Sequence, residues 1–70
     1  MKDSLQIRVG KRIQEIRDIK NISQQDLAAK CNFEKSNMSR LEAGKVNPTL
    51  STLEKISNAL EVNITELFNF

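Results

Sequence analysis

The chain has no histidine, one cysteine, one proline and two glycines among its 70 residues. With Cys31 alone no intrachain disulfide forms, and without histidine the usual zinc ligand set is missing too. Neither staple rescues a core this small, so packing must do so, by itself or with a partner subunit. Cys31 has no histidine to activate it and reads as a small core residue. Two glycines make no phosphate-cradling loop, and Glu15 and Asp18 fit a plain exposed helix pattern rather than an acid–base pair. An enzyme is therefore not expected, nor any metal or cofactor. No apolar run approaches the ~20 residues of a transmembrane helix. The N-terminal stretch MKDSLQIRVGKR lacks an apolar core of signal-peptide length, so the cytoplasm is the expected compartment, with no membrane partner.

What is there fits one small soluble domain over residues 1–70. A chain of this length buries only ~60% of its unfolded surface. Its apolar fraction of 39% and charged fraction of 29% are those of a globular domain. The net charge of +2 hides an uneven distribution. Residues 1–45 hold ten Lys/Arg against six acids, a balance of +4, while residues 46–70 hold Lys55 against Glu54, Glu61 and Glu66, a balance of −2. The first two thirds suit a polyanion and the last third does not.

Strand-like alternation is absent, and the pattern predicts an all-α chain of five helices with short connections. The first runs from about Ser4 to Ile19, with Leu5, Val9, Ile13, Ile16 and the stem of Lys20 on one face. Gly10 sits mid-helix at a cost of ~1 kcal/mol relative to alanine, which suggests close approach by another backbone. Asn21 tolerates the left-handed turn that ends a helix. Ser23 caps the second helix, Asp26 stands in a weak capping box, and Ile22 with Leu27 makes a hydrophobic staple. That helix ends near Cys31, and Asn32 makes the turn. The third runs from about Lys35 to Ala43 and stops at Gly44. Pro48 and the cap Thr49 open a fourth, about 50–60, with Leu50, Leu53, Ile56 and Leu60 in register. Asn63 and Glu66 form a second capping box for a last helix at about 64–69.

Residues 24–43 hold the chemistry. Leu27, Ala28 and Cys31 lie on one helix, Asn32 turns, Phe33 follows, and Met38 with Leu41 lies on the next. Two helices crossing at ~90–120° through a turn of 3–4 residues need this pattern, with Ala28 small where the second helix crosses it. Anchored only by Met38 and Leu41, the second helix presents Lys35, Ser36, Asn37, Ser39 and Arg40 outward. So slim a polar helix fits a major groove ~12 Å wide. There Arg and Lys donate to guanine O6 and N7, Asn pairs with adenine, and Ser serves either way. Taken alone, a polar helix face is more often merely solvated; the surrounding pattern tips the balance toward DNA. Lys11 and Arg12 read as solvent charges, with the DNA backbone as an alternative partner.

The stretch SQQDLAAKCNFEKSNMSRLEAGKVNPTLSTLEKISNALEVNITELF resembles the Cro/repressor-type helix-turn-helix family, also called the lambda-repressor-like or xenobiotic-response-element (XRE) family. Its telling pieces are S-Q-x-D-L-A, S-R-L-E-x-G-K, N-P-x-L-x-T-L and A-L-x-V, spread over roughly Val9 to Phe68. Asn21 and Asn32 stand where members often carry glycine, and Asn is the next best residue for that backbone. The resemblance implies a compact five-helix DNA-binding fold. It implies that Lys35, Ser36, Asn37 and Arg40 meet base edges, and that Gln24, Ser39, Lys45 and Asn47 meet phosphates. It pairs Arg17 with Glu42 as an ion bridge from the first helix to the third. It also implies a homodimer placing two recognition helices one DNA turn apart, ~34 Å, with Val62, Ile64, Leu67, Phe68 and Phe70 expected at the interface.

The function this implies is a sequence-specific transcriptional regulator bound as a homodimer to a pseudo-palindromic operator. With no ligand-sensing or catalytic module in view, control by the chain's own concentration is expected. That suits a Cro-like phage repressor or the controller protein of a restriction–modification system, with the C-terminal stretch leaning toward the controller. RNA polymerase is a further partner left open. The alternative is a protein-interaction module, antitoxin-like or binding a partner repressor, that uses the same fold without reading DNA.

Overall fold

Every helix but the third starts where a short polar side chain accepts from a free backbone N–H. The computed structural model describes residues 4–70, so positions 1–3 of the expected domain lie outside the described residues. Four α-helices follow in order: α1 Leu5–Ile19, α2 Gln24–Lys30, α3 Lys35–Glu42 and α4 Leu50–Leu60, then a 3₁₀ helix Ile64–Phe68. Ser4, Ser23 and Thr49 cap α1, α2 and α4 by accepting from the N–H groups of Ile7, Asp26 and Thr52. Asn21 and Asn32 take up the left-handed backbone, at φ 58° and 61°. Glu61 does the same at φ 59°, closing α4 in a turn where its own N–H and that of Val62 bond back to Asn58 and Ser57.

Helix α3 packs on α1 and α2, α2 on α4, and the 3₁₀ helix on α1 and α4. Ile13, Leu27, Met38, Ile56, Leu60 and Leu67 are fully enclosed at the centre. Ala28 is buried as the crossing requires, and Ile22 packs on the cluster that holds Leu27.

The expected stripes are trimmed at their ends. Leu5 is 57% and Leu50 77% exposed, so neither belongs to the core. Lys20 is the exposed C-cap of α1 and does not lengthen its face. The terminal element is a single 3₁₀ stretch, and its capping box does not close. Asn63 Oδ1 accepts from the N–H of Thr65, and the Glu66 carboxylate accepts from Arg12 instead.

Candidate nucleic-acid interface

Helix α3 divides sharply between inside and outside. Met38 is 0% and Leu41 6% exposed, while Lys35, Ser36, Asn37, Ser39 and Arg40 are all exposed. Two apolar side chains one turn apart are enough to seat so short a helix on α1 and α2, which frees the rest of its surface. Glu34 is its N-cap residue by backbone but makes no side-chain capping bond. Beyond α3, Gly44 takes φ 76° and turns the chain. Lys45 and Asn47 are exposed in the loop that follows. The expected base-facing residues are thus all open to solvent.

Glu42, the last residue of α3, turns the other way. It is 2% exposed and accepts from Arg17 Nε at 2.8 Å and Arg17 Nη2 at 3.0 Å. A bidentate pair of this kind fixes geometry as well as charge. Arg17 also donates to the carbonyl of Ile22 at 2.9 Å, which ties the α1–α2 turn into the same knot. Its hydrogen bonds to Glu42 raise the guanidinium above its ordinary value, against the opposing effect of burial. Gln14 Nε2 donates to the Glu42 carbonyl at 3.1 Å. Gln24, expected at a phosphate, is half-buried, and its amide donates to Glu42 Oε1 at 3.0 Å. One of its two N–H groups is therefore already engaged inside the molecule.

Arg12 is not a solvent charge. Its Nε donates to the Glu66 carbonyl at 2.8 Å and its Nη2 to the Glu66 carboxylate at 3.1 Å, fastening the 3₁₀ helix to α1. Arg8 lies 4.3 Å over the ring of Phe70. No local sequence signal links residues 54 apart, which is why this clamp escapes a reading of periodicity.

Of the residues expected at a dimer interface, Leu67 is 0% exposed and is a core residue of the single chain. Val62 and Ile64 are partly buried against that core. Only Phe68 and Phe70, 38% and 51% exposed, offer free apolar surface. Leu5 and Leu50 join Phe68 around a groove of about 270 Å³, whose floor includes Val9, Pro48 and Leu53. By spacing Leu5 and Leu50 belong to helical stripes, yet both lie at the first position of their helices, beyond the edge of the core. Cys31 is buried, its thiol pushed up by that burial, and its Sγ lies 3.8 Å from the Lys55 carbonyl. No group of acidic, cysteine or histidine side chains among the described residues is placed to hold a metal. Among the described residues no helix is long and apolar enough to cross a membrane.

Residues 12–70, which include the whole helix-turn-helix, match the Cro/C1-type HTH DNA-binding domain. The chain belongs to that family. It is 35% identical to the control protein C.BamHI of Bacillus amyloliquefaciens over 71 residues, covering 100% of this chain and 88% of that protein. It is 37% identical over 59 residues to the immunity repressor protein of Bacillus phage phi105, covering 84% of this chain but only 41% of that repressor. The crystal structure of the restriction–modification controller protein C.AhdI from Aeromonas hydrophila superposes with a TM-score of 0.85 at 32% identity, covering 89% of this chain and 94% of that one. The chain is thus a helix-turn-helix DNA-binding regulator of transcription, all-α.

Proposed function

We propose that this chain is the controller protein of a restriction–modification system, binding a pseudo-palindromic operator as a homodimer. The observation that carries this is the exposed polar surface of α3 above a fully buried Met38. Lys35, Ser36, Asn37 and Arg40 enter the major groove and meet base edges. Gln24, Ser39, Lys45 and Asn47 meet phosphates and set the register. Likeness to control proteins along nearly the full length of both chains supports the controller assignment over a phage repressor.

Pairing of two copies uses the apolar surface around Leu5, Leu50 and Phe68, extended by Phe70. A single 3₁₀ helix leaves these side chains in water, and a second copy would cover them. Two recognition helices one DNA turn apart then read the two halves of the operator. A controller that activates as well as represses also meets RNA polymerase on that DNA.

Selection of bound duplexes from a random pool, followed by titration at several salt concentrations, tests this reading. The selected sequence is expected to be a palindrome. With ~6–10 phosphates contacted, log affinity falls with log salt at a slope of about −5 to −9. Neither slope nor sequence preference would shift the assignment to the protein-interaction module.

A further inference from the structure

We infer that Glu42 is a positioning residue for DNA binding and acts through Gln24: its buried carboxylate holds one N–H of the Gln24 amide so that the other meets a DNA phosphate oxygen. This rests on the phosphate contact proposed for Gln24 and says what makes that contact effective.

A glutamine side chain in water is free about three bonds, and a ligand that captures it must freeze them. Here the freezing precedes binding. Gln24 Nε2 stands 3.0 Å from Glu42 Oε1, and that oxygen is itself immobile. Arg17 holds the carboxylate through two donors, and Gln14 holds the Glu42 main-chain carbonyl. Gly10 lets α1 come close enough for both, since a Cβ there would meet the Glu42 carbonyl oxygen at 2.4 Å. An amide hung on such a frame has lost its rotational freedom before any DNA arrives, which is the source of preorganised affinity.

Charge balance permits the arrangement. A bare carboxylate beside a phosphate would repel it. The bidentate Arg17 cancels that charge locally, so a phosphate approaching Gln24 meets a polarised N–H backed by a neutral pair. Gln24 is only partly buried, so part of the residue is open to an approaching phosphate. Placement matters as well. Glu42 ends α3 and Gln24 begins α2, so the residue that terminates the recognition helix also holds the phosphate-binding amide. Seating that amide on one phosphate fixes how far α3 slides along the groove.

The test uses the selected operator in a series of duplexes, each with one phosphate replaced by a neutral methylphosphonate. Gln24→Ala is expected to lose about tenfold in affinity for unmodified DNA, and to lose nothing further on duplexes neutral at one particular phosphate per half-site. Glu42→Gln, confirmed folded by circular dichroism at the assay temperature, loses affinity in the same phosphate-selective way. A second measurement needs no variant. In ¹⁵N-labelled wild-type protein the two Gln24 side-chain protons are expected at separate shifts, one hydrogen-bonded before DNA is added and the other moving only on binding. Losses spread evenly over all phosphates, or a second proton unmoved by operator, would reduce Glu42 to a brace of the fold. A pool yielding no bound sequence would sink the DNA reading along with this one, whereas even losses on a well-bound operator sink this inference alone.

Discussion

A Cβ built on Gly10 would stand 2.4 Å from the carbonyl oxygen of Glu42 and 2.8 Å from its carbonyl carbon. The helix α1 therefore touches the end of α3 backbone to backbone, and residues 14 and 17, one and two turns on, reach Glu42 from the same face. Gly10→Ala tests the contact. Helix propensity alone would add ~1 kcal/mol of stability. Overpacking costs roughly 1–3 kcal/mol, and its upper end applies because the obstacle is backbone and cannot rotate away. Urea denaturation is expected to show a lower midpoint at unchanged slope. A higher midpoint would mean that α1 and α3 separate freely.

Arg17 and Glu42 form the charged part of the same junction, at 12% and 2% side-chain exposure. Removing one partner strands the other, so Arg17→Ala should cost ~3–5 kcal/mol, while replacing both with apolar residues of similar volume should cost far less. A double-mutant cycle by denaturant unfolding measures the difference. The pH dependence follows from the raised Arg17 value. Its stabilisation is complete below the ordinary guanidinium range and is lost only as pH rises through the still higher folded value. Stability between pH 6 and 9 should therefore be flat as far as Arg17 is concerned.

Sequence periodicity located the helices because serine, threonine and asparagine caps act locally and are visible in any window that contains them. Gly10 announced a close backbone approach for the same reason: a mid-helix glycine has few other uses. Spacing failed where the outcome depends on what lies across the fold. Leu5 and Leu50 keep the period of their stripes yet project past the last layer of the core. Glu66 stands where a box residue would cap its own helix, but Arg12 from α1 supplies a charged partner and takes it. Gln24 pointed to a phosphate by resemblance, and only the position of Glu42 reveals that half its donor capacity is used inside.

The burial of Leu67 within the single chain separates folding from assembly. Leu67→Ala opens a cavity at the centre of the single chain and should cost ~2–5 kcal/mol of stability. Leu50→Ser removes surface that the folded monomer leaves wet and should barely lower its unfolding midpoint, while Phe68→Ser, from a ring 38% exposed, should lower it less than Leu67→Ala does. Both serine variants should instead weaken self-association at least tenfold, read by sedimentation equilibrium. Unchanged association in both would place the pairing surface elsewhere.

Glu61 carries strain that can be relieved. It holds φ 59° with an ordinary side chain, a conformation that disfavours L-residues by roughly 1–2 kcal/mol. Glu61→Gly fits that backbone without penalty, although the unfolded chain gains freedom in return. Glu61→Asn keeps a Cβ but tolerates the left-handed region. Both are expected to raise the melting temperature by a few degrees, about 1 kcal/mol or less. The exposed position, away from α3, predicts no change in DNA affinity.

Arg40 and Lys45 are both exposed cations near the end of α3, and the proposed roles predict different failures. Arg40→Ala removes a base-edge donor and should cost ~1–3 kcal/mol on the selected operator while relaxing preference at one base pair per half-site. Its affinity for unrelated DNA should fall much less. Lys45→Ala removes a phosphate contact, so it should weaken every sequence alike and make the salt slope shallower by about 1 for each copy bound. Titration of both variants against operator and a scrambled duplex at two salt concentrations separates the outcomes. If Arg40→Ala weakens all sequences equally, that side chain lies on the backbone, and base reading falls to Lys35, Ser36 and Asn37 at the start of the helix.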